Sequence, residues 1–521
     1  MHNIDQGKSN LLTWRNSKSP RLWYAMILQQ PIFWIIVSLC IGAILRTLMY
    51  LSDRCLWIDE CMLALNIATR SWSGLLEPLE WNQGAPLGYL LLVKGITQWA
   101  GISEGSLRSV SFLCSLASLA GFAVLSWRLL PPWAAVGAIA LYSISPGLVS
   151  YAGECKQYAC DTVVTVGLLL LAERLQRHGS WHAMLGMALG GMAALWFSHP
   201  AAFVLAGIGV SFLIQTVHQK QVRRFLSLAL MGLSWMMSFS VLYFLHLRYL
   251  AHNDYLQRYW QEHFLPLTGL GTVTWLWDHG LGWCAVTVGS SGALVGGGLA
   301  IWGGIVLGRT RREWTILVVG VVGAALVAAA GHRYPLAGRM VLFLTPLLIL
   351  LMAAGGWSIW RMCTPQASLI AAFLLVTVLL SAASQSFREC RRPSRSEEIR
   401  PLLEVVRQQW RNGDKVLVLR SALPAFLFYT HETPFPPGVV WANSERFIGG
   451  QAWEQWQRLR TSARLWVLAS HYRSEEEAVI RTLAEGTAHL VGEWHESGAW
   501  LRCYVPGCPV QESPALGKDA Q

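Results

Sequence analysis

The sequence predicts a polytopic α-helical membrane protein with a small α/β domain at its carboxyl end, and three observations carry that reading. Of 521 residues, 53% are hydrophobic and 14% charged, where a soluble domain carries about a quarter charged residues. Apolar segments of bilayer length recur from residue 31 to residue 384, after which the composition turns polar. Compact basic clusters fall on alternate loops between those segments, the asymmetry that orients membrane chains. The net charge of +11 is dispersed between apolar segments, not gathered on one face or arm, which argues against a nucleic-acid partner.

The first 30 residues carry Lys8, Arg15, Lys18 and Arg21. They are long for a signal peptide and lack a small-residue cleavage site, so they are expected as a cytoplasmic tail before a retained anchor. Spans are predicted at 31–51, 107–127, 133–150, 162–176, 181–199, 201–217, 225–247, 285–307, 314–331, 338–357 and 367–384, about eleven in all. Residues 86–100 number 15 and include Lys94 and Gln98, which suits an interfacial or re-entrant helix better than a crossing.

With the amino terminus inside, the inner loops hold Arg128, then Arg174 and Arg177, then Lys220, Arg223 and Arg224, then Arg309, Arg311 and Arg312, then Arg361. Counting 86–100 as a span would invert every later loop and place these clusters on the wrong side. The outer face then receives the chemically varied loops 52–106, 151–161 and 248–284, with turns around His199 and around His332, Arg333 and Tyr334.

Beyond Ser384 the chain reads as an outer α/β domain over 386–510, after a membrane module over 31–385, with a disordered tail over 511–521. Asp414–Leu419 and Arg464–Leu468 read as strands and Glu475–Glu485 as an amphipathic helix. His489–Glu496 and Ala499–Val505 flank Ser497-Gly498 as a hairpin. Eleven cysteines show no metal-ligand spacing; Cys503 and Cys508 are a candidate short-loop disulfide.

Asp59 and Glu60, just past the first span, are the leading candidates for chemistry, because carboxylates beside hydrocarbon lose solvation unless something pairs with them. In the second outer loop, Glu154, Tyr158 and Asp161 would share one face if the segment is helical. Lys156, Arg258, Arg333 and Arg339 are the outer cations, and Lys156 and Arg339 are the preferred pair for an anionic ligand. Snorkelling toward head groups is the ordinary alternative for any one of them, and His199 between two spans suits a helix-end hydrogen-bonding residue.

The acidic pair after the first span, Pro86-x-Gly88-Tyr89 in the interfacial segment, and Gly101, Glu104 and Arg108 in the following turn form one pattern. Ser145-Pro146 with Glu154 and Tyr158, and Tyr334-Pro335 with Arg339 and Pro346, continue it. In order and spacing these resemble the polytopic GT-C glycosyltransferases, the family 39-like bacterial relatives of protein O-mannosyltransferases and lipid A aminoarabinose transferases. The resemblance covers residues 31 to about 385. This chain departs from the mannosyltransferase pattern at Ala85-Pro86-Leu87-Gly88, where no doubled proline stands.

The resemblance implies a bacterial inner-membrane enzyme with an extracytoplasmic site and a cavity between the first outer loop and the helix bundle. It further implies a polyprenyl-phosphate sugar donor and a hydroxyl acceptor on a protein, lipid or envelope glycan. Asp59 would be the catalytic carboxylate, with Glu60 orienting the acceptor or helping to hold a cation. Glu154, Lys156, Tyr158, Asp161, Arg258, Arg333, Tyr334 and Arg339 would bind substrate. In some members a divalent cation, Mg or Mn, bridges the first two outer loops, and Asp59 with Glu154 or Asp161 are the residues here that could do so. An inverting single displacement is expected, since one strong base stands in the first loop. The alternative is a transporter or flippase, which calls for ionisable residues in mid-span and broken helices in paired halves; a non-catalytic envelope scaffold would leave the carboxylates and cations unexplained.

Overall fold

A computed structural model describes residues 30–507, apart from 363, 432, 434, 443–449 and 460–461. The expected cytoplasmic tail before residue 30, the tail 511–521 and Cys508 lie outside the described residues. Cys503 is buried in a strand with a free thiol.

The membrane module is helical throughout. Among the described residues eight helices are long and apolar enough to cross a bilayer, and nine if the bent pair Pro132–Ser143 and Pro146–Gly153 is one span. These nine fall on nine of the eleven predicted segments. The other two are Trp181–Phe197, which is shorter, and Tyr158–His178, which carries Asp161, Glu173, Arg174 and Arg177. Leu87–Ala100 is a 14-residue helix. Its Lys94 Nζ lies 2.7 Å from the Ile67 carbonyl near the end of helix Ile58–Thr69, where a cation meets the negative end of the helix dipole. The first three spans are tied together by the buried Arg46, whose guanidinium donates to Ser115 Oγ and to the carbonyls of Gly42, Tyr142 and Ser143.

Two boundaries differ from expectation. The segment 270–284, read as part of an outer loop, and 285–288, read as the start of a span, form one 19-residue helix, Leu270–Val288. Its glycines, tryptophans and charged residues hide the apolar stripe that marks a helix. The next span begins after Gly289, at φ +84, not at residue 285. Trp275 Nε1 of this helix donates to the Glu262 carbonyl, and its Thr287 carbonyl accepts from Ser145 Oγ. The last span, Pro365–Arg391, runs past residue 385.

The carboxyl-terminal domain is a five-stranded sheet in the order β2-β1-β3-β5-β4, with β1 Lys415–Val418, β2 Val439–Trp441, β3 Leu465–Ser470, β4 Ala488–Glu496 and β5 Ala499–Pro506. β1 pairs parallel with β2 and β3, while β5 runs antiparallel to β3 and β4. The central strand β3 is buried along its whole length and Val416, Leu417 and Val418 of β1 are buried beside it, the pattern expected where both faces are covered.

This domain is not loosely appended. Leu56, Cys61 and Ala64 of the first outer loop share one buried apolar cluster with Ile399, Leu403, Ala422 and Phe426. The Leu56 amide donates to Tyr429 Oη at 2.8 Å, Tyr429 Oη donates to Glu104 at 3.0 Å, and the Cys55 amide donates to Glu398 at 3.2 Å. Arg400 pairs with Asp53 at 2.6 Å and with Glu104 at 3.3 Å. The segment leading into Asp59 is thereby fixed from both sides.

Candidate active site

Helix Ile58–Thr69 begins with its two acids in the first turn, where carboxylates complement the positive end of the helix dipole. Adjacent helical residues point about 100° apart, so the two acids part company. Glu60 turns inward: its carboxylate takes Arg108 bidentately at 2.8 and 3.0 Å and accepts the Cys155 amide at 2.6 Å. Burial alone would raise its pKa, but the Arg108 guanidinium outweighs that and holds it below the ordinary value. Its side chain is 1% exposed and does not line the cavity, so it has no free oxygen for an acceptor or a cation.

Asp59 faces a cavity of about 1500 Å³ lined by residues of the membrane module and of the carboxyl-terminal domain. Its carboxylate pairs with Arg339 and stands 3.7 Å from Lys156 Nζ. Gln83 Nε2 donates to Asp59 at 3.3 Å while Gln83 Oε1 accepts from Lys156 at 2.7 Å. Burial pushes the Asp59 pKa up, and the charges of Lys156 and Arg339 outweigh it, leaving the carboxyl below its usual range. Arg339 is itself sandwiched over the rings of Trp57 and Tyr158, at 4.9 and 5.5 Å from their centres, a geometry in which a guanidinium is both stabilised and oriented.

The second outer loop reaches this site because Gly153 lets it lie against the first span. A Cβ there would stand 2.6 Å from the Met49 carbonyl oxygen. Arg54 donates to the Gly153 carbonyl at 2.7 Å, fastening the turn.

Tyr158, Arg333 and Tyr334 also line the cavity. Arg333 donates to the Ala251 carbonyl at 2.9 Å, and Tyr334 Oη donates to the Met340 carbonyl at 2.9 Å. Three predicted residues are elsewhere. The helix starts at Tyr158 and Glu154 is extended, at φ −122 and ψ 140, so Glu154, Tyr158 and Asp161 do not form the shared face expected of a continuous helix. Glu154 is packed under the loop with one carboxylate oxygen unpartnered, and Asp161 is 4% exposed; neither lines the cavity. Burial, aided by repulsion from Glu60, pushes Glu154 up to about 7. Arg258 is exposed on its own short helix, donates to the Asp254 carbonyl at 3.3 Å, and does not line the cavity.

His199 lines the cavity with Nε2 buried and unpartnered. Burial, with His246 beside it, pushes its pKa down to about 3, so the ring is neutral.

Sequence reasoning missed Gln83, a neutral residue in a loop. It is set in place by consecutive left-handed residues, Trp81 at φ 60 and Asn82 at φ 52, a strain that needs surrounding support. It also missed the contribution of Arg420, Ser421, His471 and Arg473 from the carboxyl-terminal domain, which no local pattern announces.

Among the described residues no three His, Cys, Asp or Glu side chains gather so as to hold a metal ion. The charges against Asp59 are Lys156 and Arg339, and the expected partners Glu154 and Asp161 are outside the cavity. These residues do not fit a bridging Mg or Mn.

No protein-family model matches the chain, and no curated protein matches it. Solved structures do. ArnT from Cupriavidus metallidurans in the apo state superposes with a TM-score of 0.53 at 13% identity, over 90% of this chain and 97% of that one. The same protein bound to undecaprenyl phosphate gives 0.53 at 12% identity, over 93% and 98%. The Archaeoglobus fulgidus oligosaccharyltransferase in the apo form gives 0.53 at 10% identity, over 92% of this chain and 75% of that one. The chain therefore has the GT-C fold. It is a multi-pass membrane protein of that architecture, carrying a small carboxyl-terminal sheet domain.

Proposed function

We propose that the protein is a membrane glycosyltransferase, family 39-like, that moves a sugar from a polyprenyl-phosphate donor to a hydroxyl on an extracytoplasmic protein, lipid or envelope glycan. The observation that carries this reading is the triad of Asp59, Lys156 and Arg339 in the wall of one large cavity. The same cavity is also lined by the apolar side chains of Phe203, Phe239, Tyr243, Leu247 and Leu250, which suit a prenyl chain. The cations suit the phosphate that leads it. One GT-C relative of known structure is described as bound to undecaprenyl phosphate. The positive-inside pattern supports an inner-membrane location with the cavity outside.

In this reading the donor phosphate draws Lys156 and Arg339 away from Asp59. The carboxylate loses the charges that depress it, and its basicity rises when substrate is present. The acceptor oxygen then attacks the anomeric carbon as the bond from that carbon to the phosphate oxygen breaks. The electron pair departs on the phosphate, where the two cations offset the growing charge, and Asp59 takes the hydroxyl proton. Gln83 holds Asp59 and Lys156 in register.

The test is mass spectrometry of envelope glycans and glycoproteins in cells carrying wild-type protein, no protein, or Asp59→Asn at matched membrane levels. Loss of the same glycan in the last two strains supports the proposal. A full glycan complement with Asp59→Asn overturns the role of that carboxylate.

A further inference from the structure

The carboxyl-terminal sheet has a feature that membrane topology does not require. β1 and β3 are adjacent and parallel, with Val418 opposite Leu468. The chain leaves β1 toward β2 on one side and leaves β3 toward the far edge at β4. Where connections from neighbouring parallel strands part in opposite directions, a crevice opens beyond their carboxyl ends, and ligands of open α/β sheets bind there. Here that crevice holds Arg420 and Ser421 after β1, and His471, Tyr472 and Arg473 after β3, all lining the cavity that Asp59 faces.

The side chains are arranged for an anion. Arg420 and Arg473 are exposed and form no ion pair among the described residues. Ser421 Oγ is buried without a hydrogen-bond partner. His471 is held by Glu397, whose carboxylate lies 2.8 Å from Nδ1, leaving Nε2 for another partner. It sits at φ +52, an uncommon conformation for a residue with a Cβ. The hydrogen bond of Glu397 raises the His471 pKa against the effect of burial, with help from the charges of Glu397 and Asp59 and a small opposition from Arg473. Of the two carboxylates that line the cavity, Asp59 is engaged by Lys156 and Arg339, and Glu476 accepts the Arg473 amide at 3.1 Å. Among the described residues, Arg420 and Arg473 thus have no ion-pair partner, and the Glu397 carboxylate is taken by His471.

We propose that this crevice is the acceptor subsite, and that it takes an acceptor bearing an oxyanion group, phosphate or carboxylate, beside the hydroxyl to be glycosylated. Arg420 and Arg473 grip the oxyanion, Ser421 and His471 add donors, and the hydroxyl is presented across the cavity to Asp59. The carboxyl-terminal domain then selects the acceptor while the membrane module binds the donor. This assignment rests on the proposed transferase function.

The test uses full-length protein in phosphatidylcholine nanodiscs with saturating undecaprenyl phosphate, titrated with inorganic pyrophosphate as the oxyanion probe. The double variant Arg420→Gln/Arg473→Gln is expected to bind pyrophosphate about ten-fold or more weakly and undecaprenyl phosphate as the wild type does. Arg420→Lys/Arg473→Lys should retain part of the pyrophosphate affinity. The proposal is overturned if wild type fails to bind pyrophosphate, or if the Gln variant binds it equally well. It is also overturned if that variant loses undecaprenyl phosphate to the same degree, which would assign the arginines to the donor. Abolition of pyrophosphate binding in phosphatidylglycerol nanodiscs would make a bulk lipid headgroup the occupant and overturn it too. Failure of undecaprenyl phosphate binding alone counts against the donor reading and leaves the pyrophosphate result to stand by itself.

Discussion

The carboxylate of Asp59 and the ammonium of Lys156 stand 3.7 Å apart in the cavity wall, with Gln83 bonded to both. Arg339 closes the group from the last outer turn. Three separate stretches of chain thus meet at one carboxylate, and the account of function depends on that meeting.

Replacing Asp59 by Asn removes a proton acceptor and leaves the shape intact. Sugar transfer is expected to fall by about 10²- to 10⁴-fold, the usual worth of a positioned general base, with normal membrane insertion. Transfer assayed on membranes with matched protein levels checks this.

Glu60 is expected to matter for folding and not for turnover. Its pair with Arg108 is 1–2% exposed, and removing one partner of such a pair costs about 3 to 5 kcal/mol. Glu60→Gln should therefore lower the thermal midpoint in detergent markedly, while Glu60→Met combined with Arg108→Met recovers much of the loss. A stable Glu60→Gln protein with abolished transfer would instead make Glu60 a catalytic group.

Glu154 gives the protein a pH dependence with a definite sign. Its folded pKa of about 7 lies above the ordinary 4.5, so between those values the folded state holds a proton that the unfolded chain has released. That contribution to stability is present below 4.5 and is lost as pH rises through about 7. Glu154→Gln cannot ionise, so it should gain thermal midpoint over wild type at pH 8 and converge with it near pH 4. Unfolding scans across that range decide the point; parallel curves would contradict it.

Tyr429 links the two domains through the Leu56 amide and Glu104. Tyr429→Phe leaves a buried amide without its acceptor, at a cost of about 1 to 3 kcal/mol. Limited proteolysis should then cut the first outer loop faster. Unchanged cleavage would mean that the apolar contact alone holds the domains together.

Much of this architecture was legible in the sequence because membranes impose simple rules. Span length picked out nine of the long helices and kept Leu87–Ala100, a helix of 14 residues, from being counted as a crossing. The prominence of Asp59 followed from a carboxylate that must find partners beside hydrocarbon, and that of Lys156 and Arg339 from the donor phosphate that the family resemblance implies. Adjacent acids looked equivalent until helix geometry turned Glu60 toward Arg108. Glu154 fell outside the helix because the chain becomes helical only at Tyr158. Helix Leu270–Val288 was hidden by mixed composition. Gln83 and the cations of the carboxyl-terminal sheet were invisible because tertiary docking, not local pattern, brings them to the cavity.

The most direct test of the central claim is the affinity of purified protein for undecaprenyl phosphate, measured for wild type, Asp59→Asn, Lys156→Gln and Arg339→Gln. The account predicts undiminished binding for Asp59→Asn, since the cations are freed, and about ten-fold or greater losses for the other two. Wild-type affinity in both Lys156→Gln and Arg339→Gln would contradict it.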